Sequence, residues 1–274
     1  HSFPTRRSSD LNRKPGLTIA YGVLIAAFLL GRPVFAEMLQ PRRLIDAHTA
    51  GILPRAHYDI EWRIYPNGIA GYEGSGLTMA SGVGITDRLN IGLSYGGDGV
   101  IGRKEIHPNP HLGGMVKYRL IEENYHFPAI AFGFDNQGYG GIDTEYLGYV
   151  YKSQGFFIAL SKNYLLLQSL QIGFHGAVNY SLEDRGEDSY WPNAFVGIDI
   201  GFNEELALAA EYDCALTSNE DHNPLNGYLN CGLRWGFAST IYAQLLAKDV
   251  LERKIVETKK EKVGLHGFYE PRPA

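Results

Sequence analysis

Cysteine, excess basic charge and catalytic motifs are all scarce along these 274 residues. Two cysteines, Cys214 and Cys231, are too few for a disulfide scaffold, and no Cys/His spacing resembles a zinc site. Lys and Arg number 25 against 30 Asp and Glu, a formal charge of -5, so no broad basic surface is available for nucleic-acid phosphates. No Walker loop, dinucleotide fingerprint, HExxH or GxSxG elbow occurs, so no cofactor is expected and cofactor enzymes are disfavoured. Beyond Ala36 there is no stretch of 18 apolar residues, which excludes a bilayer-crossing helix from the body of the chain.

Glycine and tyrosine are plentiful, at 33 and 18 residues. Glycine suits bulges and close strand packing, and tyrosine suits strands and membrane–water interfaces, so both lean towards β-structure. The front of the chain reads as an address. Arg13 and Lys14 precede an apolar run from Leu17 to Leu30, and Val34-Phe35-Ala36 offers the small residues of an export cleavage site. The run is shorter than the ~20 residues a spanning helix needs. The expectation is therefore a non-native leader over 1–11, a signal peptide over 12–36 cleaved after Ala36, a periplasmic N-terminal segment over 37–56, and strands over 57–270.

From residue 57 onward apolar positions recur at every second residue, which places them on one face of a strand. Leu170, Ile172, Phe174, Val178, Tyr180 and Leu182 oppose Gln171, His175, Asn179 and Ser181. Leu229, Cys231, Leu233, Trp235 and Phe237 oppose Tyr228, Asn230 and Arg234. The segments around Leu206 to Leu216 and Ile241 to Leu245 repeat the pattern. Charges in mid-strand on one face, with large apolar residues on the other, match a lipid-out, water-in wall. Tight turns at Thr86 to Arg88, Ile121 to His126, Tyr164 to Leu167, Asn203 to Glu205 and Ala238 to Ser239 alternate with longer polar loops. That parity predicts an all-β, antiparallel, up-and-down transmembrane β-barrel of about 12 strands (range about 10–14), both termini periplasmic, in a bacterial outer membrane. Its last strand is expected over Val263 to Tyr269.

Inward positions supply the candidate site. His175, Asp199, Glu211, Asp213 and Arg234 are expected to form one charged band across four strands, with Lys117 and Arg119 on the far wall. The band would either fill the bore as a side-chain network or line a constriction that sorts solutes. Ser161, His175 and Asp199 are the residue types of a nucleophilic triad. With the turn at Tyr164 to Leu167, Ser161 falls about four residues, or ~13 Å, from His175, outside the ~3 Å reach a triad needs. Cys214 and Cys231 share a face on neighbouring strands, opposite each other if the loop centres near Asn223 and about four residues out of register, too far to bond, if it centres near Asp221. The favoured reading is two lipid-facing free thiols.

Several stretches resemble uncharacterised bacterial outer-membrane barrel proteins akin to the YjbH type, which are associated with exported polysaccharide. They include Asp46 to Arg55 (DAHTAGILPR), Ile85 to Gly97 (ITDRLNIGLSYGG), Phe127 to Gly140 (FPAIAFGFDNQGYG), His175 to Glu183 (HGAVNYSLE) and Leu229 to Gly236 (LNCGLRWG). The resemblance implies outer-membrane lipid as surroundings and envelope polysaccharide or its export machinery as partners, with no defined chemistry. Three functions follow as expectations: a structural, assembly or polysaccharide-export role without enzymatic activity; a narrow diffusion channel for small solutes; and a barrel-type lipid hydrolase.

Overall fold

A computed structural model describes residues 32–33, 40–66, 75–102, 105–136, 138–143, 148–151, 155–166, 170–182, 191–203, 205–218, 223–238 and 241–251. The strands in chain order are β1 (Arg32–Pro33), β2 (Tyr58–Pro66), β3 (Ser75–Gly84), β4 (Leu89–Ile101), β5 (His107–Pro108), β6 (Gly113–Ile121), β7 (Ala129–Asp135), β8 (Tyr139–Asp143), β9 (Gly148–Tyr151), β10 (Gly155–Leu166), β11 (Leu170–Ser181), β12 (Asn193–Gly201), β13 (Leu206–Asp213), β14 (Tyr228–Ala238) and β15 (Ile241–Ala247). Among the described residues there is no α-helix, only two 3-10 turns at Leu216–Ser218 and Pro224–Asn226. One antiparallel sheet runs β2-β3-β4-β6-β7-β10-β11-β12-β13-β14-β15, with β5 attached to β4 and β1 to β10. The hairpin β8-β9 extends the connection between β7 and β10 as a separate pair.

Period-two alternation decides which side chains face which way, and the faces are inverted relative to a water-soluble sandwich. Tyr58, Ile60, Trp62 and Ile64 of β2 are exposed, Trp62 by 67%. Ile91 and Leu93 of β4, Phe156 and Ile158 of β10, Val178 of β11, Val196 of β12 and Trp235 of β14 are exposed in the same way. Buried on the opposite face are Asn90, Lys117, Asp135, Ser161, Asn163, His175, Asp199, Glu211 and Asn230. The sheet thus hides its polar side and presents its apolar side.

The expected closed barrel is corrected to an open sheet among the described residues: β2 and β15 are its edges, and no pairing joins them. Direction supplies the reason. Ten successive antiparallel pairings connect the eleven strands, so β2 and β15 run the same way and cannot pair antiparallel with each other. The expected twelfth strand at Val263 to Tyr269 lies outside the described residues, as do the leader and nearly all of the signal segment.

What the sheet wraps is residues 40–54, which the sequence reading assigned to a periplasmic segment ahead of the strands. They form a hairpin on the polar face: Arg43 bridges His48, Thr49 N–H donates to the Arg42 carbonyl at 3.1 Å, and Leu44 N–H to that of Ala47 at 3.1 Å. Wall positions beneath it are small. Ala50 packs on Ala129 and Ala131, and a side chain at Gly197 or Gly84 would collide with Leu44 or the Pro54 carbonyl. Both sheet edges reach this hairpin. Arg63 of β2 donates to Asp46 at 2.9 Å, and Lys248, directly after β15, pairs with the same carboxylate. One acidic side chain therefore holds the two edges towards each other.

The hairpin joins β2 through Ala56, whose φ of 64° lies in the left-handed region that disfavours a β-carbon. Its N–H is held by the Gly84 carbonyl at 2.9 Å, so the conformation is imposed by docking. Replacing Ala56 with Gly removes that strain. An A56G variant is expected to be more stable by about 1 kcal/mol, read as a higher denaturation midpoint with unchanged slope.

Candidate functional site in the sheet interior

The interior is organised by two oppositely charged residues, neither of them exposed to solvent. Lys117, inward on β6, is 0% exposed and gives its Nζ to the carbonyls of Arg42 (2.8 Å), Thr49 (3.1 Å) and Gly51 (3.0 Å). Three acceptors around one nitrogen use all three N–H groups of an ammonium. Glu211, inward on β13, is also 0% exposed, and its Oε2 accepts the successive N–H groups of Ile45 (3.1 Å), Asp46 (2.9 Å) and Ala47 (2.8 Å). Asn230 completes the carboxylate at Oε1, at 3.2 Å. Three consecutive amides converging on one anion form a backbone nest, so the hairpin tip is shaped to this side chain. Buried charges are tolerated only when so surrounded, since burial strips several kcal/mol of hydration from each.

Other wall residues secure the hairpin arms. Asn90 accepts from Leu53 N–H at 2.7 Å and donates to its carbonyl at 2.9 Å. Arg43 pairs with Asp135, and His48 Nε2 lies 3.1 Å from the same Asp135 oxygen. The His48 ring stacks on Phe157 with centroids 3.7 Å apart. Arg42 pairs with Asp59 of β2.

The structure corrects the predicted separation of Ser161 from His175. Leu166 pairs with Leu170, so the turn lies further along than Tyr164 to Leu167, and Ser161 and His175 are direct cross-strand partners. Ser161 Oγ lies 2.8 Å from His175 Nδ1, and His175 Nε2 lies 2.5 Å from Asp199 Oδ1. The connectivity is that of a nucleophile, a base and an orienting carboxylate. Ser161 is nevertheless only 1% exposed, and its oxygen accepts the Ala50 N–H at 2.8 Å. With the hairpin in place, the three residues form a strut that holds Ala50.

The other expected members of the charged band are distributed differently. Asp213 accepts from Asn193 at 2.6 Å and from Ala215 N–H at 2.8 Å. Glu211 pairs across with Asn230, whereas Arg234 pairs with Ala207, four residues or ~13 Å along the strand. Arg234 therefore stands apart from Glu211 and lies over the Tyr242 ring at 5.2 Å. Arg119 donates to the Asp87 carbonyl near a short turn at 3.0 Å. So Lys117 and Glu211 are bridged by the hairpin backbone rather than by each other. Arg42, Arg43, Asp46, His48, Asn90 and Asp135 complete the arrangement and were not singled out from the sequence. For Arg42, Arg43, Asp46 and His48 the sequence signal is a stretch, 40–54, with apolar side chains and no strand period, which something has to cover; for Asn90 and Asp135 it is their inward parity on β4 and β7.

Cys214 and Cys231 are both free, and Asp213 pairing with Tyr228 sets them about four residues out of register. Among the described residues no group of three or more His, Cys, Asp or Glu could hold a metal ion. A small cavity of about 30 Å³ lies over the hairpin tip, lined by residues including Asp46, His48, Asp135, Phe157, Asn179 and Phe195. Comparison with known families, curated proteins and solved structures returned no match to this chain.

Burial holds the His48 pKa well below its ordinary value of 6.5, against the opposing pull of Asp135 and together with the nearby Arg43 and Lys117 charges. The depressed value means that the undocked imidazole binds a proton more readily than the docked one. The stability it contributes is complete above pH 6.5 and is lost as pH falls below that towards the docked pKa. Unfolding titrations should show stability dropping with acid over that window, with a shallower slope in H48Q. Ser161→Ala should cost about 1–3 kcal/mol by stranding the Ala50 N–H and the imidazole, measured by the same titrations.

Proposed function

We propose that the chain is an outer-membrane β-barrel closed by its own N-terminal hairpin, serving a structural or assembly role linked to export of envelope polysaccharide. The observation that carries the membrane reading is the inverted sheet: exposed Trp62, Leu93, Phe156 and Trp235 outside, buried Lys117 and Glu211 inside. Lipid stabilises such an outer face and water does not. The resemblance in Asp46 to Arg55 and the other quoted stretches supports the polysaccharide link. A ring in this reading needs one further strand, running antiparallel to both β2 and β15.

Purified protein is expected to float with lipid vesicles. Ile158→Arg, on the outward face in mid-strand, should lose about 2–4 kcal/mol of stability measured in bilayers. Flotation failure, or an Ile158→Arg variant as stable as the parent, would remove the membrane reading. Unchanged surface polysaccharide in a strain lacking the gene would remove the export link.

The contacts joining Ser161, His175 and Asp199 favour a second reading, a lipid hydrolase active only when the hairpin leaves. It requires fatty-acid release by a variant shortened through the hairpin, abolished by Ser161→Ala; no release by that variant ends it.

A further inference from the structure

The hairpin enters and leaves by the same mouth. Gln40 donates to Glu123, in the short turn between β6 and β7, at 3.1 Å. At the other end Leu53 is held by Asn90, and Arg55 N–H donates to Asp87 in the short turn between β3 and β4 at 3.0 Å. Both arms are therefore anchored at the short-turn rim, and the tip at Ile45 to Ala47 reaches inward to Glu211. Among the described residues nothing threads through the sheet, so withdrawal requires release of the hairpin's contacts and a swing about the strained Ala56 junction.

Beyond the tip the cavity lies towards the long-loop ends, where Asp135 ends β7, Gly155 begins β10 and Asn179 and Phe195 flank it. Removing the hairpin joins this cavity to the short-turn mouth. The uncovered wall is hydrophilic apart from Ala129, Ala131 and Phe157. Asn90, Ser161, Asn163, Gln171, Asn193 and Asn230 offer neutral donors and acceptors, while Leu44 and Ile45 leave behind Gly197 and Gly232 rather than apolar side chains. Water can replace each hydrogen bond that the hairpin gives up. The charged wall groups carry both signs, Lys117, Arg63 and Lys248 against Asp59, Glu123, Asp135, Asp199 and Glu211. The six neutral groups outnumber either sign.

We propose that residues 40–54 are a removable stopper, and that the protein passes small neutral hydrophilic solutes while the stopper is withdrawn. This rests on the membrane-barrel reading above. The test is osmotic swelling of proteoliposomes in an isosmotic neutral pentose, with the full chain in a C214S/C231S background. Glu211→Gln and Lys117→Met each loosen one anchor and should raise the swelling rate about tenfold over the parent. The pair A50C/S161C, at positions joined by a hydrogen bond, should lower swelling to the protein-free rate when oxidised and recover it on reduction.

Glu211→Gln and Lys117→Met proteins that float with vesicles yet swell no faster than the parent overturn the stopper. So does a bonded A50C/S161C protein that swells like its reduced form. Failure of every form to float instead overturns the barrel reading itself. Faster passage of a monovalent cation or anion than of the pentose in Glu211→Gln overturns the solute class.

Discussion

Everything inside this molecule depends on two ionisable side chains, one basic and one acidic, kept from water by the same short piece of backbone. Lys117 takes three carbonyls of the hairpin and Glu211 takes three amides, so the polypeptide's own dipoles provide what solvent would otherwise provide. A direct ion pair would have required the two side chains to meet across the interior. The hairpin lets them stay on β6 and β13 and fills the space between. Its own geometry follows: the arms fold so that carbonyls converge at one place and amides at another.

This arrangement also explains why a sheet can bury its polar face. Carboxamides, hydroxyls and charges on an inward face cost several kcal/mol each if left unpartnered. Here the hairpin and neighbouring strands supply partners for Asn90, Ser161, His175, Asp199 and Glu211. The outward face needs no polar partners at all, since backbone groups are consumed by strand pairing and the side chains are apolar. The two faces ask for two different solvents.

Much of the sheet was legible in the sequence because a period of two is a local property: Leu170 to Ser181 and Tyr228 to Ala238 form strands with the predicted faces. Cross-strand partnership was less legible, because it depends on where a turn is centred. Moving the β10–β11 turn by two to three residues shifts every partner by roughly twice that, which carried Ser161 from a distant level to one opposite His175. The hairpin was illegible for another reason. Residues 40–54 have no repeating period, and the groups that fix them lie far along the chain, Glu211 more than 160 residues from the amides it binds. Arg234 shows the same limit, since inward parity put it on the right face without revealing that it sits a full level away from Glu211.

The carboxylate of Asp46 joins Arg63 near one margin of the sheet to Lys248 near the other, residues in the first strand of its path and directly after the last. A tie spanning 202 positions cannot form until residue 248 has been delivered. Among the earliest described residues to emerge are those that wait longest for their final partner. The hairpin's last tie is thus drawn only once the curtain of strands around it is complete, much as a hoop is drawn tight when the last stave is set.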